Sequence, residues 1–348
     1  MINLSIIIPA HNSEETIIPL IYSIFKQNIS ISYEILVVLD NCTDNTLKRI
    51  TSVINNNNLR IIINNIRKGA GATRHLGAME SKGEVLLFLD SDILLIKENL
   101  INDMYNEIIT NDYNIALLGM FYDEPINKSI GANFLALKSY YYDTYSMLKK
   151  KKLERATVNN FGGGPSIIPR DKYFLSKGYD TGEYHYKGCG GEEFHAGINI
   201  AKVCPIYFCY KYNVPQHFRN VLSIFFLAIK RTFNYTMIMY MLKIEKAERK
   251  IHYVVPLSDK IKLAIVFLII LNIPLSALNL SSFKNSALLF LAYLITDVEF
   301  MELTIKKRGI IFYILGIAQD MILFVSKGIG VILALLNIVI LNDYKKRF

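Results

Sequence analysis

Short apolar runs alternate with polar, turn-forming stretches through the N-terminal part of the chain. Leu4-Ser-Ile-Ile-Ile8 is brief, β-branched and stopped by Pro9, which predicts a buried strand. Ser13 is placed to cap a helix from about Glu14 to Gln27, with acids in its first turn. Glu34-Ile-Leu-Val-Val-Leu39 predicts a second strand that ends on Asp40, and Thr43 or Asp44 can cap a helix through Ile54. Leu59–Asn64 predicts a third strand, followed by a Gly69–Gly71 loop and a helix to about Ser81. Glu84-Val-Leu-Leu-Phe-Leu89 predicts a fourth strand, closing on Asp90-Ser-Asp92. Alternating strands and helices with fully apolar strands predict an α/β domain, its mostly parallel sheet covered by helices on both faces. Ligands in such sheets bind beyond the carboxyl ends of the strands, where Asp40, Gly69–Arg74 and Asp90/Asp92 fall.

The pattern loosens over 112–218, where Asn160–Pro165 reads as a turn and Gly178–Glu193 as a long polar functional loop. From residue 219 it changes in kind. Arg219–His252 mixes aromatics and Met with basic residues, as helices lying in a membrane interface do. Leu263–Leu280 has spanning length, and Pro274 is tolerable inside a spanning helix. Ala287–Thr304, Ile310–Val325 and Ile329–Leu341 are further candidate spans. The expected domains are therefore 1–218, catalytic; 219–258, amphipathic interface helices; and 259–348, a C-terminal α-helical membrane module of two to four spans with a basic tail.

Charge sharpens this division. Residues 1–218 balance 22 basic against 22 acidic side chains, whereas 219–348 carry 17 against 8, so the whole +9 excess lies there. A basic excess among apolar runs points to a membrane surface and not to nucleic acid. Four spans would put Lys306-Lys307-Arg308 and Lys345-Lys346-Arg347 on the side of the N-terminal domain, the cytoplasmic side by the positive-inside rule. The run Lys149–Lys152 suits anionic headgroups or a solvated loop. Four cysteines without a C-x-x-C spacing read as reduced thiols. Leu4–Ile8 lacks the length and the basic flank of a signal peptide.

Four features carry candidate chemistry. Asp90-Ser-Asp92 offers two carboxylates at a strand end, able to share a hard divalent ion and the diphosphate it binds, or else to cap a helix. Asp40 can accept hydrogen bonds from a base or ribose, or close an Asx-turn. Arg74 offers a fixed cationic fork for a diphosphate or a base carbonyl. Its loop is not a dinucleotide fingerprint, because it follows the third strand and Arg74 replaces the last glycine. Glu192 and Glu193, after a Gly pair, can supply a general base or complement a helix dipole.

In order along the chain, Ser5-Ile-Ile-Ile-Pro-Ala-His-Asn12 with Glu14, Val37–Asp44, Gly69–Arg74 and Asp90-Ser-Asp92 resemble the motifs of the family 2 glycosyltransferases of GT-A fold. Gly178-Tyr-Asp180 and Gly191-Glu-Glu193 are similar to that family's acceptor-side motifs. The resemblance spans about residues 3–217. It implies a GT-A nucleotide-diphospho-sugar transferase fold and an inverting, metal-dependent transfer of a sugar from a UDP- or GDP-linked donor. It further implies that Pro9, Glu14 and Asp40 line the nucleoside site and that Arg74 meets base or diphosphate. Asp90 would touch ribose or metal, Asp92 would ligate Mn²⁺ or Mg²⁺, and Glu193 would be the base with Glu192 as substitute. His217 would reach the metal or diphosphate, or serve structurally. Gln216-His-Phe-Arg219-Asn220 resembles the Q-x-x-R-W motif of processive synthases, but Asn220 stands for the tryptophan and the chain has no Trp, which argues against a polymerising enzyme.

Membrane association implies a lipid-linked or glycan acceptor, with a polyprenyl-phosphate sugar synthase as the neighbouring reading. A transporter subunit whose soluble domain only binds nucleotide is the reading from another class, motivated by Asp297, Glu299 and Asp320 inside apolar runs.

Overall fold

The computed structural model describes residues 2–53, 56–149, 151–180, 191–218, 221–244, 257–278 and 282–341. The first half alternates as expected: β1 (Leu4–Ala10), α1 (Ile17–Phe25), β2 (Tyr33–Asp40), α2 (Thr46–Val53), β3 (Leu59–Asn64), α3 (Ala70–Glu80), β4 (Val85–Phe88) and α4 (Leu100–Thr110). Next come β5 (Ala116–Leu118), α5 (Ile130–Tyr140) running on as a π-helical turn over Tyr141–Lys149, β6 (Arg155–Val158), β7 (Ser166–Pro169), α6 (Arg170–Leu175), α7 (Glu192–Ile200) and β8 (Ile206–Cys209). They form one eight-stranded sheet in the order β3-β2-β1-β4-β7-β5-β8-β6.

The β3-β2-β1-β4 half is wholly parallel, while β7 runs antiparallel to β4 and β5. Side chains of β1 alternate across the sheet. Ile6 and Ile8 join a core with Leu20 and Ile24 of α1 and Met104 of α4 on one face. Ile7 joins Ala78 of α3, Tyr173 of α6 and Ile200 of α7 on the other. Burial on both faces explains why these strands read as unbroken apolar runs. Ser13 does not cap α1. Its hydroxyl meets Ser91 at 2.8 Å, and the cap position is Thr16, without a side-chain bond. Asp44 takes the role expected of it, accepting from the Thr46 amide at 3.1 Å.

The C-terminal half is helical: α8 (Val221–Ile244), α9 (Leu257–Ala277), α10 (Phe283–Ile295), α11 (Val298–Arg308) and α12 (Ile310–Leu336), which ends in a π-turn over Asn337–Leu341. Four separate spans do not appear among the described residues, which keep the low end of the expected two to four. The two runs expected at 310–325 and 329–341 are one helix, which Gly328 and Gly330 do not break. Ala287–Thr304 is instead divided at Asp297. At 13 residues α10 reaches only about 20 Å, short of a ~30 Å apolar layer. Among the described residues two segments are long and apolar enough to cross, Ser258–Ala277 and Ile310–Val339, and only 28% and 39% of their apolar windows are buried. Apolar side chains on them, such as Leu271 and Ile311, are largely exposed, as suits a lipid-facing wall.

The expected interface segment 219–258 is represented by α8, which packs along α12; 245–256 lie outside the described residues. So do Arg219 and Asn220, Lys345–Arg347, Lys150 and Cys189. Cys204 and Cys209 are buried free thiols.

Three acids of the apolar region, Asp259, Asp297 and Asp320, are buried and paired with lysines. Lys262 binds Asp297 at 2.7 Å and Asp320 at 3.0 Å, Lys138 of α5 also binds Asp320, and Tyr293 donates to it at 2.6 Å. Lys327 holds Asp259 at 3.2 Å, and Tyr141 donates to Glu299 at 3.3 Å. Such paired charges fix which helices meet, because separating them leaves an uncompensated buried ion. Through Lys138 and Asp320 they tie the sheet domain to the helices. Lys307 likewise pairs with Asp123 of the sheet domain at 2.7 Å, so that basic cluster lies against the sheet domain.

Candidate active site

β1, β2 and β4 end at the same edge of the sheet, and the order of the parallel half reverses between β1 and β4. A cleft of about 720 Å³ opens there. It is lined by Pro9, Glu14, Asp40, Arg74, Asp90, Asp92, Glu192, Glu193 and His217, so all nine residues singled out in the sequence converge on one place.

At the β2 end, Asp40 is buried. Its carboxylate accepts from the Lys68 and Gly69 amides at 2.8 and 2.9 Å and from Asn64 Nδ2 at 3.1 Å, and its carbonyl meets His11 Nδ1 at 2.6 Å. Asp40 thus shapes the loop before α3 from within the cleft; it closes no Asx-turn. Glu14 and Asp44 latch the β1 and β2 loops to each other. The Glu14 amide donates to Asp44 at 3.0 Å, and Glu14 Oε2 accepts from the Asn45 amide at 3.0 Å.

At the β4 end, Arg74 presents no free fork. Its side chain is 3% exposed and binds Asp90 at 2.5 Å, with Glu193 at 3.7 Å and the Tyr179 ring beneath it at 5.2 Å. Burial opposes its charge, but Asp90, Tyr179 and the two glutamates outweigh that and keep it protonated. Its Nε and Nη1 are buried without a hydrogen-bond partner. Asp92 is held differently, by Gln216 Nε2 at 3.2 Å and by its own carbonyl, which accepts from the His217 amide at 2.7 Å. Ile93 and Gln216 form a β-bridge, which brings His217 to the cleft.

The three residues read as metal ligands are therefore not a preformed set. Asp90 faces Arg74 and Asp92 faces Gln216, and among the described residues no three His, Cys, Asp or Glu side chains gather to hold an ion. The donor set still fits a hard cation that takes one or two carboxylates from protein and the rest of its shell from substrate phosphates and water.

Glu192 and Glu193 open α7. Glu192 is buried, and Glu193 lines the cleft with a third of its side chain exposed. Burial, then the negative charge of Glu192, push the Glu193 carboxyl up to about 7, against the pull of Arg74 and Arg231. Residues 181–190, most of the expected functional loop, lie outside the described residues.

The antiparallel β7 explains how the NFGGGP turn reaches this site. Ser166 pairs with Phe88 at the carboxyl end of β4, so the turn before it arrives at the cleft edge. The Phe161 amide donates to the Glu193 carbonyl at 3.0 Å. Gly162 has φ +120°, and a Cβ there would stand 2.4 Å from the Tyr179 hydroxyl and 2.9 Å from Glu193 Cγ. Gly162→Ala should therefore displace Glu193 or Tyr179. A folded variant with stability lowered by about 1–3 kcal/mol and turnover lowered more than donor binding is expected from denaturation and kinetics.

Sequence reading missed Arg67 and Arg231, which also line the cleft; Gln216 and Tyr179 stood in its motifs, but their holding of Asp92 and Arg74 did not. Nothing local marks the two arginines, which lie on a loop and on a helix of the C-terminal half.

Comparison with known proteins bears on the family and the fold. Residues 5–167 match the family described as Glycosyl transferase family 2. Over 179 residues the chain is 28% identical to the UDP-Glc:alpha-D-GlcNAc-diphosphoundecaprenol beta-1,3-glucosyltransferase WfgD of Escherichia coli, covering 49% of this chain and 67% of that protein. Over 102 residues it is 35% identical to the Poly(ribitol-phosphate) beta-N-acetylglucosaminyltransferase TarS of Staphylococcus aureus, covering 29% of this chain but only 18% of that protein. The structure of mannosyltransferase PcManGT from Pyrobaculum calidifontis, solved with GDP-Man and Mn²⁺, superposes with a TM-score of 0.54 at 14% identity, over 95% of this chain and 87% of that one. That likeness shows a shared GT-A fold.

Proposed function

Because the chain carries a glycosyl transferase family 2 domain over residues 5–167, we propose that its cleft transfers a sugar from a UDP- or GDP-linked donor to a hydroxyl of a lipid-linked or glycan acceptor, with inversion. The observation that carries this reading is the convergence of Asp40, Asp92 and Glu193, from three distant stretches of chain, on one cleft at the strand ends.

The nucleoside would lie against Pro9, Glu14 and the Asp40 loop, with the diphosphate toward Asp90–Asp92. Mn²⁺ or Mg²⁺, held by Asp92 with Asp90 and His217 beside it, would stabilise charge gathering on the leaving diphosphate. Arg74 holds Asp90 in place. Glu193 takes the proton of the acceptor hydroxyl. The oxygen bonds to the anomeric carbon from the face opposite the diphosphate, whose bond to that carbon breaks, so configuration inverts. The transition state has oxocarbenium character, as in glycoside hydrolysis. A phosphate-monoester oxygen is already anionic and needs no such base. A carboxylate in the cleft at the position of Glu193 is a reason to read the acceptor as a hydroxyl before the polyprenyl-phosphate sugar synthase reading.

In this reading residues 1–218 are the catalytic domain, and α9 and α12 seat it at a bilayer, facing the cytoplasm. The test is a panel of nucleotide sugars with Mn²⁺, scored for release of nucleoside diphosphate with and without extracted lipid. Release that depends on one donor and rises with lipid is expected. A chain that binds none of the donors and releases nothing overturns the proposal.

A further inference from the structure

Among the described residues lining the cleft, Arg231 alone comes from beyond residue 217. It projects from α8, and α8 is built into the apolar helical module. Gly330 of α12 packs on the Ile229 carbonyl, Thr232 and the Phe233 amide, where a Cβ would meet that carbonyl at 2.5 Å. One turn after Arg231, Tyr235 meets the ring of Phe194 at 5.5 Å, and Phe194 directly follows Glu193. The helix carrying Arg231 is thus fixed on one side to a candidate spanning helix and on the other to the helix of the base.

The cations of the cleft divide by place. Arg74 is engaged by Asp90. Arg67 directly precedes Lys68 and Gly69, whose amides hold Asp40, and so marks the nucleoside end. Arg231 is exposed, and no carboxylate among the described residues pairs with it. It lies beyond ion-pair reach of Glu193 yet near enough to oppose the rise in that carboxyl's pKa. An anionic acceptor approaching Glu192 and Glu193 meets two carboxylates and needs a cation close by. A guanidinium set back from the base suits a phosphate set back from the reacting hydroxyl. The outward apolar surface of the adjoining bundle, with Phe226 of α8 71% exposed, suits an acyl or prenyl chain.

We propose that Arg231 binds the phosphate of a lipid-linked acceptor, the lipid lying along the α8, α9 and α12 bundle and the reacting hydroxyl reaching Glu193. This rests on the transferase reading only in calling that end of the cleft the acceptor end. The full chain in detergent is titrated with farnesyl phosphate, farnesol, inorganic phosphate, UDP and GDP, for wild type, Arg231→Gln, Arg231→Lys and Arg67→Gln. Wild type is expected to prefer farnesyl phosphate to both farnesol and inorganic phosphate. Arg231→Gln should weaken farnesyl phosphate about tenfold or more, the loss of a charge-assisted contact, and leave the preferred nucleotide within about twofold. Arg231→Lys should fall between, and Arg67→Gln should show the reverse pattern.

Wild type that does not distinguish farnesyl phosphate from farnesol overturns the phosphate contact, and inorganic phosphate binding as tightly overturns the lipid. An unchanged Arg231→Gln overturns the residue, and a parallel loss of nucleotide assigns Arg231 to the donor. Binding with this pattern but no sugar transfer would instead sink the transferase reading and leave the lipid-phosphate site standing.

Discussion

Glu193→Gln is expected to bind donor like wild type and to transfer sugar roughly 10²–10⁴ times more slowly, the usual contribution of a positioned base. The nucleoside end depends on the β1 and β2 loops, whose latch of Glu14, Asp44 and Asn45 this change does not touch. The pH profile is the companion result. A carboxyl accepts a proton only when ionised, and burial with Glu192 pushes Glu193 up to about 7. Below that pH, kcat/KM should fall about tenfold per unit; above it, the rate should level off. Glu192→Gln removes the like charge, so the midpoint should move down while the rate at pH 8 stays within a few-fold. Because the two acids sit side by side, the measured midpoint belongs to the pair. If Glu193→Gln turns over normally and Glu192→Gln does not, the base is Glu192.

Asp92→Asn should lose turnover by roughly a hundredfold or more, because charge on the leaving diphosphate is no longer countered. The substitution keeps shape, and an amide oxygen still accepts from Gln216, so the fold should be retained. Donor binding in the variant should no longer respond to added Mn²⁺ or Mg²⁺. Titrating donor with and without the ion measures this directly. Metal-enhanced binding that survives in Asp92→Asn would move the ligand role to Asp90 and require Asp90 to leave Arg74.

The parallel half of the sheet was legible because its strands are buried on both faces, which forces continuous apolar runs such as Ile6–Ile8 and Val37–Leu39. The site was legible for a related reason. In such a sheet the residues at and just after a strand's carboxyl end are at the ligand edge, so Asp40, which ends β2, and Asp90, two residues past β4, declare their place by position alone. Spans were harder. Hydropathy counts apolar residues but does not tell a glycine that breaks a helix from one that lets two helices touch, so α12 was divided at Gly328 and Gly330 in the sequence. The glycines of Gly69–Arg74 were ambiguous in the same way. Gly71 makes room for Glu192, whose Cβ would be 2.9 Å from a Cβ there.

By itself, then, the chain determined its α/β core, its candidate acids and the change of character after residue 218, because burial, strand ends and charge imbalance are written in local order. Partnership was decided only by tertiary structure. Arg74 turned out to face Asp90, Asp92 to face Gln216, the acids of the apolar region to face Lys138 and Lys262, and Arg231 to enter a cleft from the far half of the chain. Except for Arg74 and Asp90, 16 residues apart, these partners lie on segments well separated along the chain. Spacing within a segment carries no record of such meetings, which packing alone selects.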